Sequence, residues 1–98
     1  MTIPVFQLSA AGADVLERRV GFTVAHHVLH HFGVQGMEPG SFTKALIELI
    51  ARADPQNKVK LSGPYPDYAA AVMLAQNRSD GMNRLRRIAG IPVPGDDA

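Results

Sequence analysis

The chain contains no cysteine, which excludes disulfides, thiol redox chemistry, cysteine nucleophiles and thiolate metal sites. That absence fits a reducing compartment. No stretch approaches the roughly 18 consecutive apolar residues that span a bilayer. Met1 to Leu8 also lacks the basic n-region of a signal peptide. Charge of one sign is missing as well: ten Lys and Arg against nine Asp and Glu leave a formal net charge of +1. Nothing in that balance draws the chain toward nucleic acid or acidic lipid. Charged residues make up 19%, somewhat sparse against the usual quarter, which argues against a disordered tail or a polyionic arm. Enzyme templates are absent too. There is no Gly-x-Ser-x-Gly elbow, and Gly36, Gly40 and Ser41 come without the lysine of a phosphate-binding loop. The expectation is a non-enzymatic, cytoplasmic protein with no cofactor and no membrane partner.

What is present is a hydrophobic content of 46% spread over 98 residues, enough for one small domain with a modest core. Met1 to Leu8 alternates weakly around Pro4 and reads as an extended N-terminal arm. A lone strand leaves its backbone groups unpaired, so such an arm needs a neighbour, a second copy of the chain included. Ser9 or Asp14 caps a first helix that runs to about Phe32, although Gly21 inside it costs about 1 kcal/mol against alanine. Gly33 and Gly36 end it. Ser41 caps the run Phe42 to Ala53, in which Phe42, Ala45, Leu46, Leu49 and Ile50 recur at helical spacing opposite Lys44, Glu48 and Arg52.

Asp54-Pro55 stops that helix and opens the next segment. Lys58-Val59-Lys60-Leu61 alternates like a strand, but the cap before it favours a short helix. After the break Gly63-Pro64-Tyr65-Pro66, a helix extends from Pro66 to about Gln76. Ser79 or Asp80 caps a last helix, Gly81 to Ala89, with Met82, Leu85, Ile88 and Ala89 inward and Arg84, Arg86 and Arg87 outward. Gly90 ends it, and 91–98 reads as a flexible tail. The fold class expected is all-α: a single domain over 1–98, a compact bundle of four to five short helices with an N-terminal arm at 1–8.

Three constellations could carry function. All four histidines, His26, His27, His30 and His31, fall in one six-residue window and on one half of a helix, with Phe22, Ala25, Val28, Leu29 and Phe32 on the other. His26/His30 and His27/His31 have the i, i+4 spacing that lets two imidazoles converge on one ion. The zinc-protease pattern also needs a glutamate after the first histidine, and His27 and Val28 occupy those positions. The plain reading is a polar face; the functional ones are a pH-responsive interface or a metal pair. The second constellation is Arg78, Arg84, Arg86 and Arg87 in a helix-loop-helix. A DNA reader places base-reading side chains at the start of its second helix, and here that start is Ser79-Asp80-Gly81-Met82-Asn83, with one acid and one amide. A solvated basic face is the plainer account. The third is Tyr65 and Tyr68 beside prolines, either a rigid turn or an adhesive surface.

Three segments together resemble a known group. They are His27-Val28-Leu29-His30-His31-Phe32-Gly33; Pro39-Gly40-Ser41-Phe42-Thr43 with Leu46-Ile47 and Ala53-Asp54; and Tyr65-Pro66 with Ala71-Val72, Leu74-Ala75-Gln76 and Asp80-Gly81. Over about Phe22 to Ala89 the chain resembles small uncharacterised proteins encoded by phages of actinobacteria. The resemblance implies a bacterial cytoplasm during infection and a protein that binds a host or phage component. It assigns no residue a role.

The function expected is therefore a protein-interaction module, with self-association into a homodimer as one form. The first helix offers apolar residues around more than half its circumference, and such excess on a small domain marks an interface. Val20 and Val24 are its expected exposed members, with Tyr65 and Tyr68 beside them. Nucleic-acid binding through the four arginines is the alternative, and a histidine-pair metal protein the second.

Overall fold

Ser9 and Asp54 set the first and fourth of the six helices among the described residues by the same means: a side-chain oxygen accepts from a backbone N–H three residues on. The bonds are Gly12 N to Ser9 Oγ at 3.0 Å and Asn57 N to Asp54 Oδ1 at 2.8 Å. The computed structural model describes residues 8–95. Its helices are α1 (Ala10–Glu17), α2 (Phe22–His31), α3 (Ser41–Arg52), α4 (Pro55–Ser62), α5 (Pro66–Asn77) and α6 (Gly81–Ala89), and no strand occurs among the described residues. Residues 1–7 and 96–98, which hold most of the expected arm and the end of the expected tail, lie outside the described residues. The all-α class holds, with six helices in place of four or five. None is long and apolar enough to cross a membrane.

The extra helix comes from a break in the expected first one. After Glu17 the chain tightens into a turn, with Arg19 N–H to Leu16 O at 3.0 Å and Val20 N–H to Glu17 O at 3.1 Å. Gly21 is then extended and stands as the N-cap of α2. The break turns Val20 into the core. Val20 is 7% exposed and Val24 9%, so the two residues expected on an exposed apolar face are core residues instead. Two other caps also differ. Gly40, not Ser41, occupies the cap position of α3. Asp80 occupies that of α6 but makes no capping bond, and Asp14 lies within α1. The segment 57–62 is helical, as its cap favours.

Helix α5 lies at the centre and touches each of the other five. Ala69, Ala70, Ala71, Val72 and Leu74 are all buried, so it is apolar nearly all round, as a central helix must be. Its alanines let neighbours approach closely. Around it pack Val24, Val28 and Leu29 of α2, Leu46, Ile47 and Ile50 of α3, and Leu85 and Ala89 of α6. Helices α2 and α6 end alike. Gly33 and Gly90 adopt positive φ, 72° and 70°, and the following N–H returns to the carbonyl five residues back. Val34 reaches Leu29 O at 3.2 Å and Ile91 reaches Arg86 O at 2.8 Å, which satisfies carbonyls the helix leaves open.

Candidate functional site

The four histidines are half-buried, and the structure does not bring them together as ligands. Each has its own neighbour. His26 Nε2 lies 2.9 Å from the carbonyl of Ala89 at the end of α6. A carbonyl only accepts, so Nε2 carries the proton and His26 closes one of the open carbonyls of α6. Its Nδ1 is buried with no partner among the described residues, and its ring packs on Phe22 with centroids 4.5 Å apart. His27 Nδ1 lies 2.9 Å from the Tyr68 hydroxyl, and the two rings are nearly parallel, 6° apart. His30 Nε2 is 3.5 Å from Glu38 Oε2 across the loop after α2. His31 stands edge-on to Phe32. Among the described residues no three His, Asp or Glu side chains could hold a metal ion.

Two of these groups are shifted. Burial, and then the charges His26 and His30 can carry, lower the His27 imidazole below its ordinary value. Burial raises the Tyr68 hydroxyl; a hydrogen bond with Thr43 acts the other way, and Asp67 adds to the rise. A neutral imidazole against a neutral phenol is a stable pair, and it joins α2 to α5. Tyr68 is thus bound within the bundle rather than offered to a partner.

The arginines do not form one face either. Arg84 is 13% exposed, and its Nη1 donates to Asp14 Oδ1 and to Glu17 Oε1, both at 2.8 Å, which ties α6 to α1. Its Nε donates to Asp80 Oδ2 at 3.1 Å. Arg78 takes the same carboxylate, Nε to Oδ1 at 2.6 Å and Nη2 to Oδ2 at 3.1 Å. These bonds hold the Asp80 carboxyl far below the usual carboxylate range, Arg78 first and Arg84 second. They also raise Arg84, Asp14 contributing most. Arg86 turns back to Asn83 Oδ1 at 2.6 Å, and Arg87 is exposed. Asp80 therefore serves as a clasp for two guanidiniums, which is why it caps nothing.

One stretch of open apolar surface sits where the sequence reading put core. Phe42 is 68% exposed and Leu49 54%; with exposed Ala45 they form one ridge along α3. The Phe42 ring lies 6.4 Å from that of Tyr65, so Tyr65 alone of the expected interface residues borders this ridge. Beside Leu49 a hollow of about 390 Å³ opens between α3 and α4, lined also by Arg52, Ala53, Asn57, Lys60 and Leu61. A signal for the ridge exists in the sequence. Ile47 is apolar, and adding it to the stripe widens the apolar arc of α3 to about 200° at 100° per residue. Burial centres on Leu46, Ile47 and Ile50, which leaves Phe42, Ala45 and Leu49 outside.

Comparison with protein families, curated proteins and solved structures yields no match.

Proposed function

We propose that the protein is a small helical protein-interaction module that acts by docking rather than by turnover, and that its first partner is a second copy of itself. The observation that carries this reading is the α3 ridge. Phe42 and Leu49 are large, apolar and more than half exposed on one helix face, and no charged residue lies between them on that face. Phenylalanine is enriched at interface centres, where charge is depleted. The hollow beside Leu49 gives a ridge something to enter, and a self-complementary surface with knob and hollow side by side suits a two-fold dimer. The resemblance to phage proteins supports the cytoplasm of a bacterial host as the setting, with a host or phage protein as a further partner.

The test is the mass in solution of the untagged chain by analytical ultracentrifugation, at about pH 5.5 and about pH 7.5, beside Phe42→Asp and Leu49→Asp. We expect a dimer at both pH values, because no histidine belongs to the ridge, and a monomer with an undiminished melting transition for each variant. A monomeric wild type at high concentration would remove self-association. A dimer that ignores both substitutions would remove α3 as its surface.

A further inference from the structure

A groove of about 420 Å³ runs along α5 between α1 and α4, a volume within the ~300–1,000 Å³ of small-ligand sites. Pro66, Ala69, Ala70, Met73 and Asn77 line it from α5. They recur at three- and four-residue spacing, so they make one stripe along that helix. From Pro66 to Asn77 the stripe is about 17 Å long at 1.5 Å per residue. The groove is therefore elongated, with Leu16 on the α1 wall and Val59 on the α4 wall. Val59 is 71% exposed, and no residue of α4 is buried. So little burial holds the α4 wall that it can yield to an occupant lying against it.

The charge around the groove is of one sign. Arg19 and Lys58 line it and, among the described residues, no carboxylate does. Arg19 is exposed, and the acid closest to it in sequence, Glu17, is taken by Arg84. The Lys58 ammonium donates to the Ala53 carbonyl at 2.6 Å, which fixes its position and leaves its charge in place. An apolar occupant with a positive head is thus disfavoured, and one with a negative head favoured.

We propose that this groove binds a free long-chain monocarboxylate, a fatty acid of about the length of dodecanoate. Its alkyl chain lies along Ala69, Ala70 and Met73, and its carboxylate meets Arg19. The length of the stripe sets the length of the chain, and the two cations set the sign of the head. A guanidinium takes a carboxylate through two parallel N–H···O bonds, which a solvated ammonium does not offer. The site shares no residue with the α3 ridge and does not rest on it.

The test is isothermal titration calorimetry of the full chain with sodium dodecanoate below its micelle concentration, beside dodecyltrimethylammonium as the cation of equal chain length. One saturable site of micromolar affinity is expected for the carboxylate and none for the cation. In methyl-labelled protein the Met73 and Val59 resonances should move on addition of dodecanoate. Arg19→Gln should weaken binding about tenfold. Val59→Asp places a like charge on the groove wall at an exposed position and should abolish binding, while Leu49→Asp on α3 should leave it unchanged. All three variants should melt cooperatively. The proposal is overturned by the absence of saturable binding, by equal binding of the cation, or by binding that either groove substitution leaves intact. Association with anionic phospholipid vesicles but not with free dodecanoate would also overturn it, in favour of a membrane surface.

Discussion

At His27 burial and two neighbouring imidazoles act in the same direction, and the consequence is a pH dependence with a definite sign. The folded chain holds this ring neutral below its ordinary value of 6.5, so between that lowered value and 6.5 the unfolded chain binds more protons. Stability from this group is complete above about 6.5, falls as the pH drops toward the lowered value, and is flat below it. Urea denaturation of the wild type at about pH 7.5 and about pH 5.5 should show the loss. His27→Gln keeps a hydrogen-bonding partner for the Tyr68 hydroxyl but cannot titrate, and its stability should fall less over the same interval. An equal fall in both would assign the dependence to other groups. Asp80 has the same sign in a more acidic window. Its carboxyl is depressed by Arg78 and then by Arg84, so its contribution is complete above the usual carboxylate range, near 4, and disappears only as the pH falls below it.

Among elements, α6 approaches α5 closely at Gly81. A Cβ on Gly81 would fall 1.7 Å from the Leu74 carbonyl oxygen and 2.5 Å from its carbon. Both are backbone atoms inside a helix, so neither can swing away. Gly81→Ala should therefore push α6 off α5 and cost about 2–3 kcal/mol, read as a fall in the denaturation midpoint. A cost below about 0.5 kcal/mol would show that the two helices slide freely. The sequence announces Gly81 only as the first residue of a helix, because the clash belongs to packing and not to local conformation. What was legible was local: the Ser9 and Asp54 caps, Pro55 and Pro66 at helix starts, Gly33 and Gly90 at helix ends. Rotation of a helix about its axis was not legible, since it is set by all its neighbours together. The α3 stripe was right in period and wrong in centre, and Gly21 marked a weak point without showing that Val20 would be pulled inward there. The site suffered most from this. Residue types were visible, but His26 meets Ala89 across 63 positions and Arg84 meets Asp14 across 70, and such pairings follow only from the assembled bundle.

For the whole molecule, the distribution of charge bears on whether phosphate can be bound. Phosphate binding requires cations free to release counterions, and each phosphate neutralised adds about 0.9 to the slope of log affinity against log salt. Of the four arginines in the helix-loop-helix, Arg78 and Arg84 already share the Asp80 carboxylate, and Arg84 also holds Asp14 and Glu17. Arg86 is turned onto Asn83. Moving Arg84 to a phosphate would strip three carboxylates of a partner and part α6 from α1, a rearrangement the net charge of +1 gives no long-range field to offset. The chain should therefore elute from immobilised heparin at low salt and show no measurable affinity for duplex DNA at about 0.15 M ionic strength. Retention that weakens steeply with salt and disappears in Arg86→Gln/Arg87→Gln would reverse this and make the outer side of α6 a phosphate-binding surface. The same variants should leave the solution mass unchanged, because neither arginine borders Phe42 or Leu49, so the two surfaces can be judged separately.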